Sequence, residues 1–502
     1  MGVVNLLTLL DMVAAGHGDR LALGTAQNGL TGEQLRDQAY AGASQVTAQD
    51  IDTVVFMGEN GPAFPLALFA AAAAGVPLLP LNYRLAREQL HDAVARQGRT
   101  LLISDDTALA GLGNVVRAIG LRDWTELCAG HPPTPTAPVQ PDPDEVAVLL
   151  LTSGTTAAPK SAVLRHRHLA AYVLGSVEFG GADADEAVIV SVPPYHIAAV
   201  ANLLSNLYSG RRVVYLETFT ATAWLETVAA ERVTHAMLVP TMLARIVDEL
   251  ERGDTPAPTT LRSLSYGGAR LPSTVLERAL TLLPGTGFVN AYGLTETSSS
   301  VAVLGPEDHR RALDSEDPDV RARLGSVGRP LPSVAIEIRD EAGQPCPPGA
   351  IGMIYVKGAQ VAGEYRESGP VTDADGWFAT RDEGHLDAEG YLFVRGRADD
   401  TIIRGGENIA PAEIEAVLQR HPDVRDAAVV GIPDEEWGQR IGAFIVLKPG
   451  ASATEDGMRA FVRQRLRSSK TPDAVHFLDE LPHTPTGKVL RRELLAQAPQ
   501  PA

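Results

Sequence analysis

The tightest constraint on this 502-residue chain is a change of character at residue 152. Before it, Val146 to Leu151 is an unbroken apolar run, which reads as a short buried strand. After it, Thr152-Ser153-Gly154-Thr155-Thr156-Ala157-Ala158-Pro159-Lys160-Ser161 packs five hydroxyls, one glycine and one lysine into ten residues. Hydroxyls and backbone N–H groups can wrap phosphate oxygens, glycine allows close approach, and lysine adds a point charge. A Ser/Thr-rich surface turn has the same composition, so the rest of the chain must decide.

The pattern G-x-x-x-x-G-K-[ST] marks the P-loop. Gly154 to Ser161 fits it except that Pro159 stands at the second glycine. Proline has no N–H to offer and a fixed φ, so the usual phosphate nest cannot form there. A P-loop NTPase is set aside on that ground.

The length suits two or more domains around a large core. A net charge of −19 excludes a phosphate-backbone binder, so no nucleic-acid partner is expected. Cys128 and Cys346 make neither a disulfide framework nor a metal spacing, which points to a reducing, cytoplasmic setting. The apolar segment Met1 to Ala15 lacks a basic residue and is interrupted by Asp11, so it predicts an amphipathic first helix rather than a signal peptide. Pro65 to Leu81 is too short and too broken to span a membrane; it reads as a buried helix ending near Gly75, then a strand. No membrane partner is expected, and a homodimer stays open.

In order, strands are predicted at Thr53–Met57, Thr100–Ser104, Val188–Val192, Arg212–Leu216, Thr234–Val239 and Ser263–Tyr266, with helices between, including Ile197 to Tyr208. That alternation predicts parallel sheets. A proline-rich linker, His131 to Pro143, precedes the opening loop. Pro193-Pro194-Tyr195-His196, Pro240-Thr241 and Gly267-Gly268-Ala269 all follow strand ends, where ligands of open α/β sheets bind. From Val334 the chain turns β-rich. Beyond Asp399 it predicts a small α+β unit: helix Ala412–Arg420, strands Asp426–Gly431 and Ala443–Leu447, helix Glu455–Leu466 and strand Ala474–Leu478.

Five strings now stand in order: the opening loop; Asn290-Ala291-Tyr292-Gly293-Leu294-Thr295-Glu296-Thr297; Trp377 to Gly384; Gly396 to Ile409; and Pro482-His483-Thr484-Pro485-Thr486-Gly487-Lys488. Together they resemble the adenylate-forming superfamily of acyl-CoA synthetases, nonribosomal adenylation domains and firefly luciferase. The resemblance covers nearly the whole chain. Three glycines of the family pattern are replaced here, by Ala157, Ser161 and Arg381.

The resemblance implies a fold and a set of roles. The fold is α/β, with a large multi-layer N-terminal domain of parallel and mixed sheets (1–398) and a small mobile α+β C-terminal domain (399–502) carrying the catalytic lysine. Thr152, Ser153, Gly154, Thr155, Thr156 and Lys160 would hold the phosphates of ATP. Gly267, Gly268, Ala269, Asn290, Ala291, Tyr292 and Gly293 would surround the nucleotide, Tyr292 stacking on adenine. Thr295 would touch phosphate and Glu296 would bind Mg²⁺. Asp382 would accept the ribose hydroxyls beside Arg397, and Asp399 would be the pivot. Lys488 and His196 would serve the chemistry. Gly405, Gly406 and Trp437 would meet coenzyme A, although a core aromatic in the small domain explains Trp437 equally well.

The implied activity is ATP-dependent activation of an acid as acyl-adenylate, then thioester formation with coenzyme A. The acid pocket should involve His196, Ala199, Asn202, Val239, Tyr266 and Gly268. No aspartate lies in Tyr195 through Ser205 for an amino group and no Arg or Lys for a second carboxylate, so a medium-sized aryl or arylacrylic acid is expected. Two alternatives stay open: an adenylating enzyme with another partner (a carrier protein, an amine, or nitrite activated for diazotisation of an aromatic amine), and a non-catalytic nucleotide-binding protein.

Overall fold

A computed structural model describes residues 4–130, 140–152, 160–404, 407–434, 437–484 and 487–498. Two large sheets dominate. The first runs Arg329–Pro330, Ser299–Leu304, Gly287–Leu294, Ser263–Gly267, His235–Leu238, Ala187–Val190, Arg212–Tyr215, Leu21–Leu23 and Leu30–Thr31. Its inner strands are parallel and its outer ones antiparallel. The second runs Gly369–Pro370, Glu364–Tyr365, Lys160–Arg165, Val146–Thr152, Leu78–Pro80, Thr53–Met57, Thr100–Ser104 and Val115–Ile119. The largest apolar cluster draws on both sheets and on the helices between them, Phe56 and Val148 on one side and Ile189 and Leu264 on the other. This is the expected multi-layer α/β domain.

The parallel core follows from composition. Thr53–Met57 and Thr100–Ser104 are buried at every position, which a strand covered on both faces requires. Helix Ala63–Ala73 is buried all round, and its proline sits in the first turn, where a missing N–H costs nothing. The first helix covers Leu6–His17, with the Asn5 side chain accepting from the Thr8 N–H as its cap. Among the described residues no helix is long and apolar enough to cross a membrane.

A four-stranded antiparallel sheet follows: Val334–Arg339, Gly352–Gly358, Phe378–Leu386 and Leu392–Arg397. The smaller C-terminal part holds the hairpin Ile402–Arg404 and Glu407–Ile409 and the sheet Val424–Asp434, Gly438–Leu447 and Ala474–Leu478. Its helices Pro411–Leu418 and Glu455–Arg463 close one apolar cluster, and Arg491–Gln497 helps close another. Among the described residues, no apolar cluster mixes residues from before 398 with residues after 401.

One local expectation is corrected. Lys160 and Ser161 belong to a strand, Lys160–Arg165, rather than to the end of the loop, and it pairs antiparallel with Val146–Thr152 in the register Thr152 to Lys160. The strands on either side of residues 153–159 are therefore hydrogen-bonded antiparallel neighbours, whereas a P-loop joins a strand to a helix. Topology removes that alternative on grounds independent of Pro159.

Candidate active site

Strands Ser263–Gly267 and Gly287–Leu294 run side by side, with Gly267 opposite Ala291. Their carboxyl ends bring together Gly267, Gly268, Ala269, Ala291, Tyr292 and Gly293. Asn290 lies on the same strand, but its side-chain amide donates to the Ser326 carbonyl at 3.0 Å, a structural duty. At Gly293 the backbones cross so closely that a Cβ would stand 2.0 Å from the Ser299 oxygen. The short 3₁₀ turn Thr295–Thr297 follows. Thr297, not Thr295, is the capping threonine: its hydroxyl accepts from the Leu294 N–H at 2.9 Å and lies 2.7 Å from the Ser299 carbonyl. Thr295 has no such local duty among the described hydrogen bonds, and Glu296 beside it is buried at 8% exposure.

Asp382 lies within the strand Phe378–Leu386. The Tyr292 hydroxyl donates to its Oδ2 at 2.6 Å, and Arg397 donates to its Oδ1 at 3.2 Å. Its own N–H donates to the Thr380 hydroxyl at 3.1 Å. A carboxylate has about four acceptor sites, so each oxygen keeps capacity for one further donor, such as a vicinal diol. Burial and the Asp382 charge push the Tyr292 phenol well above its ordinary pKa, so it stays protonated and donating. Arg381, next door, holds φ at +62°, a strained conformation for a side chain of this kind. Its guanidinium comes 3.8 Å from Asp399, in the turn Ala398–Asp400.

Lys160 is placed by its strand. Its ammonium lies 5.4 Å from the ring centroid of Tyr365, and the Thr152 hydroxyl donates to its carbonyl at 3.3 Å. Ser153, Gly154, Thr155 and Thr156 lie outside the described residues, as do Gly405 and Gly406.

Lys488 comes from the C-terminal part yet faces these groups. Its backbone is held by Thr484, whose hydroxyl accepts from the Lys488 N–H at 3.0 Å and whose N–H donates to the Lys488 carbonyl at 2.7 Å. Gly487, with φ +77°, presses on the large domain, where a Cβ would come within 2.6 Å of the Thr241 hydroxyl. Further polar contacts join the two parts, Arg270 to the Ala412 carbonyl at 2.7 Å and Arg395 to Glu413 at 3.4 Å. Lys488 keeps solvent access within the open cleft. Surrounding protein nevertheless lowers its pKa below the usual lysine range, first by desolvation and then by Arg397, against the pull of Asp382, Glu296 and Asp400.

His196 occupies the N-cap position of the helix Ile197–Ser209, its ring tilted by 56° against that of Tyr195 with centroids 4.6 Å apart. Its Nε2 is buried with no hydrogen-bond partner among the described residues. Burial, helped by the Lys488 charge, pushes its pKa down to about 3, so the ring is neutral at physiological pH. A Cβ added to Gly268 would meet only Val239, at 3.9 Å, so these two share one open edge. Ala199 and Val239 are buried in the same cluster. Asn202 is buried too, its Oδ1 accepting from Asn206 at 2.8 Å. The Tyr266 hydroxyl pairs with His309 Nε2 at 2.9 Å, so its polar end is engaged within the fold.

Trp437 is also settled in one respect. It is 45% exposed, with the Arg404 guanidinium 4.9 Å from its ring centroid, so it is not a core aromatic. One site residue escaped sequence reasoning altogether. The Tyr365 hydroxyl donates to Glu296 Oε1 at 2.6 Å, a contact spanning 69 positions of chain with no local sequence signal.

Three comparisons bear on this arrangement. The family described as AMP-binding enzyme matches residues 10–366, and its C-terminal domain matches residues 413–488. A feruloyl-CoA synthase of Amycolatopsis sp. is 35% identical, covering 88% of each chain. A fatty acid–[acyl-carrier-protein] ligase of Streptomyces coeruleorubidus is 32% identical, covering 93% of this chain and 91% of its own. The o-succinylbenzoate CoA synthetase of Bacillus subtilis, solved with its acyl-adenylate intermediate, superposes with TM-score 0.84 at 29% identity over 97% of both chains. The same enzyme has been solved with ATP and a magnesium ion.

Proposed function

The chain belongs to the AMP-binding enzyme family, and from that premise we propose that it activates a carboxylic acid with ATP and passes the acyl group to coenzyme A. The observation that carries the reading is the cleft itself: a lysine from the C-terminal part, Lys488, turned toward Asp382, Arg397 and Glu296. A carboxylate oxygen attacks the α-phosphorus, the bond to the β-phosphate oxygen breaks, and pyrophosphate leaves. Such a transfer is governed by positioning and charge neutralisation. Lys488 bridges the incoming carboxylate and the α-phosphate, Asp382 receives the ribose hydroxyls, and Lys160 with the hydroxyls of residues 152–156 holds the departing phosphates.

A divalent cation fits the donor set. Among the described residues no group of three or more His, Cys, Asp or Glu side chains could hold a metal alone. Mg²⁺ asks for no such cage: it takes one or two carboxylates, several waters and substrate phosphates. Glu296 would supply the carboxylate, and the bound ion would offset phosphate charge.

For the second step Lys488 must leave, since it stands where a thiol would enter. We place the domain boundary at 398/399 and the pivot at Asp399, a choice supported by the separation of the apolar clusters between Val394 and Ile402. Gly405, Gly406 and Trp437 then serve the pantetheine arm. A medium-sized aryl or arylacrylic acid is the substrate class, supported by the small, uncharged lining Ala199, Val239 and Gly268 and by the feruloyl-CoA synthase relative. A carrier-protein acceptor is the second reading, favoured by the acyl-carrier-protein ligase relative.

The test is product analysis by mass after incubation with ATP, Mg²⁺ and an acid panel, with and without coenzyme A. An acyl-adenylate without coenzyme A and a thioester with it is the expected pair. Adenylate that persists unchanged when coenzyme A is added, yet is consumed by a carrier protein, moves the assignment to the second reading.

A further inference from the structure

The segment from Gln360 to Glu367 lies between the motif strings and was assigned no role by any of them. It binds both phosphate-handling elements at once. At one end, the Gln360 amide donates to the carbonyls of Thr297 and Ser300 at 3.1 and 2.8 Å. The N–H groups of Ala362 and Gly363 donate to the Glu296 carbonyl at 2.9 and 3.1 Å. At the other end, the Ser161 N–H and hydroxyl each donate to the Glu367 carboxylate at 2.9 Å. The Arg366 N–H donates to the Ser161 carbonyl at 2.9 Å. Between these ends Tyr365 pairs with Ala162 in the sheet, beside Lys160.

Tyr365 is where the two ends meet. Its hydroxyl fixes one oxygen of the Glu296 carboxylate, and its ring lies 5.4 Å from the Lys160 ammonium, within reach of a cation–π attraction. A carboxylate otherwise free to rotate presents its remaining oxygen in one direction when a phenol holds the first. The serine that replaces a family glycine at 161 also acquires a purpose, because its hydroxyl supplies the second bond to Glu367.

We propose that Gln360–Glu367 is a strap coupling the metal carboxylate to the phosphate-loop lysine, with Tyr365 as the positioning residue for Glu296 and Glu367 as the positioning residue for the loop exit. The proposal rests on the nucleotide-site reading above. It predicts a separation of effects that general loss of structure would not produce: the phenol governs metal affinity, and Glu367 governs affinity for the nucleotide itself.

The experiment uses the full chain, α,β-methylene-ATP as nucleotide and Mn²⁺ as metal, read by electron paramagnetic resonance and calorimetry, with unfolding temperatures in parallel. Y365F keeps the ring and removes the hydroxyl. Its Mn²⁺ half-saturation with nucleotide present should rise roughly tenfold, the scale of a hydrogen bond to a charged group, while metal-free nucleotide binding holds within about twofold. E367Q should do the reverse, weakening metal-free binding several-fold with little change in Mn²⁺ affinity for the loaded protein. Equal Mn²⁺ titrations for wild type and Y365F would overturn the strap, and so would parallel loss of both affinities in each variant at unchanged unfolding temperature. Failure of wild type to bind the nucleotide at all would instead bring down the site reading on which the strap rests.

Discussion

Asp382 and Lys488 face the same cleft and are held in opposite ways. Asp382 sits inside a nine-residue strand, with one oxygen taken by Tyr292, the other by Arg397, and its N–H by Thr380. Lys488 is held by Thr484, and its neighbour Gly487 touches the large domain. No apolar cluster of described residues joins the two sides. Hydrophobic burial would make that junction costly to open, whereas polar contacts such as Arg270 to Ala412 exchange readily for water. The large-domain wall is fixed by its strand, and in the two-step reaction proposed above the lysine is the part that withdraws.

The largest effect that sharpens this contrast should come from Lys488→Ala. Removing a positioned group that stabilises transition-state charge costs roughly 3–4 kcal/mol, about 10²–10³ in rate. Adenylate formation, followed by pyrophosphate exchange, should fall by at least that, while thioester formation from synthetic acyl-adenylate survives. Equal loss in both half-reactions would make the lysine structural and erase the distinction between the two walls. Asp382→Ala should act on both half-reactions, because nucleotide and adenylate share the ribose. It removes charge-assisted bonds worth about 1.5–3 kcal/mol, so the KM for ATP and that for acyl-adenylate should each rise roughly 10- to 100-fold. A defect confined to one step would contradict a fixed wall.

Gly487→Ala comes next. Its left-handed φ costs a side chain about 1–2 kcal/mol, and the new methyl would press on Thr241. Adenylation should slow roughly tenfold and the second half-reaction should not, which stopped-flow measurement of each step can separate. The smallest effect concerns stability. Burial pushes the pKa of His168 down to about 3, with help from Arg167 and Arg165. Its folded value lies below its unfolded one, so its contribution is whole above about pH 6.5 and shrinks as pH falls toward 3. His168→Gln should therefore spare about 1 kcal/mol of the stability lost between pH 6.5 and 5.5, measured by denaturant unfolding followed through buried Trp224. Identical pH dependence in the variant would show that this histidine is not buried neutral.

What was legible in the sequence follows the same division. Strands covered on both faces, such as Thr100–Ser104, appear with the expected bounds, because a short apolar centre, here Leu101-Leu102-Ile103, between polar ends admits few alternatives. The small domain's strand Val424–Asp434 extends beyond its expected Asp426–Gly431, since its ends pair by tertiary register rather than by composition. Lys160–Arg165 is a strand held between Val146–Thr152 and Glu364–Tyr365, partners its own composition does not announce. Within the site, residues in motif strings were visible as types, but their engagements were not. The pairing of Tyr266 with His309 and of Tyr365 with Glu296 depends on chain segments 43 and 69 residues away.

The crossing at Gly293 has a consequence for how this protein can change over evolutionary time. A Cβ there would lie 2.0 Å from the Ser299 oxygen, and Ser298 and Ser299 hold φ values of 54° and 108° in succession. A replacement at 293 gains nothing from a single compensating change, because the obstacle is backbone, which no side-chain swap removes. Gly268 differs in its surroundings: an added methyl meets only Val239, at ordinary van der Waals distance, and the cost there is that of the left-handed φ of +83° alone. On the acid pocket proposed above, new acids are reachable by substitution of side chains such as Val239, one step at a time. The nucleotide end is fenced off from such drift, and a lineage of this chain can diversify in what it activates long before it can alter what it activates with.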